Sequence, residues 1–155
     1  MKYLMNKSAE LEKLTDDEKY EYFKKTYPNL CDDIIKYVLI RHMCATQIYE
    51  EFDFIDLKTS IVETLEISTE QVFNIEYAQF CDWRDESRKY FDAWQIEIEN
   101  KWTCNGSWLG PILVTRVKSN YVAIDGNNRL RILRCFLKHS DNYKAPYHTI
   151  YYIHN

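Results

Sequence analysis

The residues best placed to do chemistry are five in a row, Asp125-Gly126-Asn127-Asn128-Arg129. They stand where an alternating apolar run, "YVAID", meets a run with helical spacing, "NNRLRILRCFLKH". Gly126, one of only three glycines in 155 residues, permits a backbone geometry that other residues resist. Asn127 or Asn128 can cap the helix that follows. The first amides of a helix have no internal partner and carry partial positive charge, so they can face a phosphate or a carboxylate. Arg129 falls in the first turn, where its planar fork can grip phosphate oxygens in a bidentate way. The same residue types also make an ordinary strand-to-helix turn.

Other constellations are weaker. Cys135 and His139 stand four apart on the expected helix, His42 and Cys44 are close in sequence, and His148 and His154 share the last expected strand. None makes a four-ligand set of recognised spacing, so no protein-held metal is expected. Ser107 in "NGSWLG" reads as a loop residue and not as a nucleophile elbow. Asp125, Glu97 and Glu99 could each serve a bound substrate as general base, although the last two read better as surface or docking charges. Beyond Arg129, the residues Arg131, Arg134 and Lys138 recur at helical spacing. Such a stripe could meet nucleic-acid phosphates or an acidic protein partner. It could equally be a solvated face, or a partner for acids elsewhere in the chain.

The elements that must position these residues follow from pattern. The chain fits one domain, residues 1–155, with 46% hydrophobic and 28% charged residues. Thirteen Tyr, seven Phe and four Trp are too many rings to hide completely, and exposed Tyr and Trp favour contact surfaces. Five scattered cysteines suit reduced thiols better than a disulfide framework. With no apolar leader or membrane-length run in the sequence, a cytoplasmic location is expected. The net charge of −4 hides a division. Residues 101–155 hold eight Lys and Arg against two acids, and residues 1–100 hold twelve against 22. The basic third either serves an anion or attracts the acidic front within the fold. An overall negative charge opposes long-range attraction to DNA, so nucleic acid is the less favoured partner.

The acidic front, 1–100, reads as mostly helical. A Thr15–Glu18 capping box opens a helix that Pro28 ends. A second is expected from Asp32 to about Glu51, and a third, "DLKTSIVETLEI", capped by Asp56. Ser68–Gln71 is another capping box, leading into "VFNIEYAQF", which also has strand character. "DESRKYFDAWQIEIENKW" restores a helix. After Trp102, "PILVTRV" and "YVAID" alternate as two strands close enough for a hairpin. A helix carrying Leu130, Leu133, Phe136 and Leu137 follows, and "APYHTIYYIH" is a final strand.

"PILVTRVKSNYVAIDGNNRLRIL" resembles the core of the ParB/sulfiredoxin-like superfamily, in which two strands lead into a Gly-x-x-Arg helix start. The match runs from about Leu109 to Leu137. The resemblance implies a single α+β domain, a helical N-terminal portion packed on a small β-β-α-β core. It implies that Gly126 and Arg129 hold the phosphates of a nucleotide; the turn itself adds Asn127 and Asn128 to the expected phosphate site, and leaves the cofactor open, a nucleotide with magnesium being one candidate. Asp125 matches the acid before the Gly in Asp-Gly-x-His-Arg branches, and is the tentative catalytic residue for phosphate-ester hydrolysis or phosphoryl transfer. Sulfiredoxins carry a reactive Cys and then a His just before the Arg; Asn127 and Asn128 stand there instead, so sulfin reduction is not expected. Asn128 cannot shuttle protons near neutral pH as the His could. A different class therefore stays open: a non-enzymatic, protein-binding inhibitor, immunity protein or antitoxin on the same scaffold.

Overall fold

The structure, a computed structural model, describes residues 8–40, 55–78, 86–92, 112–139 and 147–154. Five strands form one mixed sheet: β1 Val62–Ser68, β2 Glu76–Tyr77, β3 Leu113–Val117, β4 Asn120–Asp125 and β5 Tyr147–Ile153. Their order across the sheet is β1-β5-β3-β4-β2. The β3–β4 hairpin is antiparallel, as expected, and β5 lies parallel to β3. The described helices are α1 Ser8–Leu11, α2 Asp16–Thr26, α3 Asp32–Ile34, α4 Thr69–Phe73 and α5 Asn127–His139, with residues 88–92 helical as well. None of the described helices is long and apolar enough to cross a membrane.

Side-chain alternation explains why both faces of the sheet carry helices. Leu113, Val122, Ile124 and Ile153 point to one face, where Phe23 and Tyr27 of α2 join Ile34, Ile35, Val38 and Leu39. Their neighbours Val114, Ala123 and Ile150 point to the other, against Leu130, Leu133, Cys135 and Phe136 of α5, Val72 of α4 and Phe91. A strand buried on both faces reads as a nearly unbroken apolar run, as Val122–Ile124 does.

Several local signals act as their chemistry requires. The Thr15–Glu18 box opens α2, and Ser68 accepts from the Gln71 amide while Gln71 reaches back to the Ser68 amide at the start of α4. Helix α3 begins at Asp32 and continues as a π-helical turn, Ile35–Leu39. The rest of that expected helix, with His42 and Cys44, lies outside the described residues, as do Glu97, Glu99 and Ser107.

The expected helix "DLKTSIVETLEI" is a correction. Asp56 closes a tight turn instead, its carboxylate accepting from the Lys58 amide and its carbonyl from the Ser60 amide. The β-branched residues Ile61, Val62, Thr64 and Ile67 then favour an extended chain, and residues 62–68 pair antiparallel with β5 over seven positions. The acidic front therefore does more than pack on a C-terminal core: it supplies β1 and β2 to the same sheet.

The stability consequence is graded. Phe136 is fully buried against Phe91, ring centroids 5.4 Å apart. Truncating it, Phe136→Ala, should cost about 3–5 kcal/mol in urea unfolding, whereas Ser68→Ala should cost about 1 kcal/mol. Equal costs would contradict this placement of the core.

Candidate functional site

The turn between β4 and α5 is built as a helix start with a left-handed entry. Gly126 has φ 82°, and its carbonyl accepts from the Leu130 amide at 2.7 Å, which makes it the residue that opens α5. A side chain would clash in that conformation, so glycine is required here. Just before it, the pairing steps from Leu113–Asp125 to Val114–Ala123, leaving Ile124 as a bulge. Bulges bend a strand and re-aim its last side chains.

Asp125 and Arg129 meet one turn apart, Nη2 donating to Oδ2 at 2.5 Å, with the side chains 5% and 12% exposed. The acid and the arginine that the sequence singles out are thus in direct contact. The carboxylate orients the guanidinium and offsets part of its charge. The two asparagines separate. The Asn127 amide group accepts from the Ala78 N–H at 3.0 Å and donates to the Ala123 carbonyl at 3.3 Å. Its side chain thereby ties the chain after β2 to β4. Asn128 is exposed, and its Oδ1 accepts from Arg131 at 3.2 Å.

The stripe beyond the turn meets groups of the acidic front, one of the uses the sequence leaves open, with Arg134 buried, Arg131 half-buried and Lys138 exposed. Arg134 is 7% exposed. Its Nε and Nη2 donate to the carbonyls of Val72, Phe73 and Ile75, around the end of α4. Its Nη1 meets Glu86 at 3.1 Å, and its guanidinium lies over the Tyr77 ring, 4.7 Å from the centroid. Arg131 stacks on Tyr90 at 4.1 Å and donates to the Tyr90 hydroxyl. Lys138, still partly exposed, pairs with the other oxygen of Glu86. A burial this complete removes Arg134 from any phosphate backbone. These contacts join the basic third to Glu86 of the front, and His154 Nε2 lies 2.9 Å from Glu63 Oε2.

Glu86, Tyr77 and Tyr90 therefore organise the helix that carries the site, and no sequence signal marks them. Burial pushes the Glu86 carboxyl up, but hydrogen bonds from Lys138, Tyr77 and Arg134, with the Arg134 charge, outweigh it and hold the group below its ordinary 4.5. Burial also holds His148 below its ordinary 6.5 and pushes the Tyr77 hydroxyl up. Cys135 is buried in the core, while the His139 ring sits 3.1 Å from the Glu86 carbonyl and tilts against Phe91. Each has a packing role. Among the described residues no group of three His, Cys, Asp or Glu could hold a metal ion. At the turn itself the one described carboxylate, Asp125, is already engaged by Arg129. Magnesium there would have to arrive with the phosphates of a ligand.

Compared with known proteins, the chain matches no family model, no curated protein and no solved structure.

Two measurements follow from this wiring. Arg134→Ala removes a donor from three carbonyls and from Glu86 in a buried setting, and should destabilise by roughly 3–5 kcal/mol. Arg131→Ala should cost far less, and a reversed ranking in urea unfolding would refute the assignment. The pH dependence has a fixed sign. Both Glu86 and His148 bind protons less readily when folded, so the stability they contribute is lost on acidification. For His148 the loss sets in as pH falls below 6.5, and for Glu86 as it falls below 4.5. Glu86→Gln should flatten the lower part of that slope in unfolding measured across pH, and an unchanged slope would exclude Glu86 as its source.

Proposed function

We propose that the start of α5 binds the phosphate of a nucleotide or another phosphorylated ligand, on a ParB/sulfiredoxin-like arrangement of β3, β4, α5 and β5. The observation that carries this reading is the juxtaposition of a left-handed Gly126 and an Arg129 guanidinium steered by Asp125, at a helix start whose first amides have no partner within the helix. Helix amides and a fixed guanidinium are the donors that phosphate oxygens take. Asp125 holds Arg129 in place, and is a positioning residue on this reading. Turnover, as hydrolysis or phosphoryl transfer, would require the ligand to bring its own metal and water, because the Asn128 amide does not take up or release a proton near neutral pH.

The second reading is a protein-binding role without turnover, as an inhibitor, immunity protein or antitoxin. The commitment of Asn127 to the fold and of the turn's one described carboxylate, Asp125, to Arg129 favours it.

Thermal unfolding in the presence of a nucleotide panel, with and without magnesium, tests the first reading. A ligand at about a hundred times its dissociation constant should raise the melting temperature by roughly 5–10 °C. Arg129→Ala should abolish the shift. Because that change removes an ion-pair partner from the buried Asp125, Asn128→Asp is the sharper variant. A carboxylate in the first turn suits the helix dipole and should not lower the ligand-free melting temperature. It should nevertheless repel the ligand and shrink the shift. A shift that survives in both variants, or none with any nucleotide, would refute the site.

A further inference from the structure

Strand β1 ends the sheet, with β5 on one side and, among the described residues, no strand on the other. The His154 amide donates to the Ile61 carbonyl at 2.9 Å, and the β1–β5 register is continuous from Val62–Ile153 to Ser68–Tyr147. In an antiparallel ladder the bonded pairs alternate. Ile61, Glu63, Leu65 and Ile67 therefore turn their amides and carbonyls toward β5, and Val62, Thr64 and Glu66 turn theirs to the open edge. Ile61 is 61% exposed, and Glu63, Thr64 and Glu66 are exposed too. Such an edge is a template for another extended chain.

Charge decides which chain. Between Lys58 and Arg84 the sequence holds five acids, Glu63, Glu66, Glu70, Glu76 and Asp82, and no Lys or Arg. Glu63, Glu66 and Glu70 are exposed along or just beyond β1. A second copy of the protein would bring its own Glu63 and Glu66 against these, an arrangement like-charge repulsion opposes. A strand rich in lysine or arginine would meet them favourably, with steering at low salt.

We propose that the outer edge of β1 docks an extended basic segment of a partner protein, extending the sheet by one strand. The proposal gives the protein-binding reading a surface and a partner chemistry, and it is independent of the anion site at α5.

The probe is an end-capped nine-residue peptide alternating lysine and threonine, titrated into the full chain at low salt with amide shifts and hydrogen exchange read by NMR. Binding should slow exchange at Thr64 and Glu66 and leave Leu65, already bonded to β5, unchanged. Thr64→Pro removes one outward N–H without touching the β5 ladder, a place where a sheet tolerates proline, and should weaken binding about tenfold or more. Glu66→Lys, which keeps every backbone bond, should weaken it comparably and secures the test should Thr64→Pro misfold. A glutamate–threonine peptide should not bind. No binding of the lysine peptide, or binding unaffected by either variant, overturns the edge as the surface; the second outcome would leave a protein-binding role elsewhere. Concentration-dependent dimerisation abolished by Thr64→Pro would overturn the basic partner in favour of self-pairing.

Discussion

The arrangement depends on one buried guanidinium. Arg134 sits among carbonyls of residues 72–75, the Glu86 carboxylate and the Tyr77 ring, and a charge at 7% exposure is tolerable only when its donors are occupied. Meeting that condition fixes α5 against the end of α4 and against residue 86. Arg131 on Tyr90 and Lys138 on Glu86 extend the same seam, while Leu130, Leu133 and Phe136 pack on the sheet. Helix α5 is thus held by an apolar stripe on one side and a polar seam on another.

A helix held this way places its first turn accurately. Asn127 pins the turn to Ala123 and Ala78, Gly126 sets the entry angle, and Asp125 aims Arg129. On the proposed anion-binding reading, positioning of this kind would let a small number of backbone amides act together, with little ordering cost left for the moment of binding. It also explains the mild charge of the turn: Asp125 trades part of Arg129's attraction for a defined direction.

The C-terminal third was legible because its signals are local. Alternation gave β3, β4 and β5, helical spacing gave α5, and a lone glycine between them marked the turn. The capping boxes at Thr15 and Ser68 were equally readable. Residues 62–68 were not, because a capping Asp56 and a few apolar residues fit a helix as well as a strand, and only pairing with β5, more than eighty residues later, decides. The basic stripe stayed open between solvent, an acidic partner and the acidic front for a related reason. Spacing shows that Arg131, Arg134 and Lys138 share a side of α5, but whether that side meets water or Glu86 is a tertiary fact. The contact of Asp125 with Arg129 was within reach of the sequence, being a single helical turn; the diversion of Asn127 to Ala78 was not.

The most direct test of the central claim is a titration of inorganic pyrophosphate into the isotope-labelled protein, following backbone amides and the Arg129 side chain by NMR. The account predicts saturable shifts at Asn127, Asn128 and Arg129, with the Asn127 side-chain amide unmoved because the fold holds it. Shifts absent from these three amides while appearing elsewhere, or no saturable shift at all, would contradict an anion site at the start of α5.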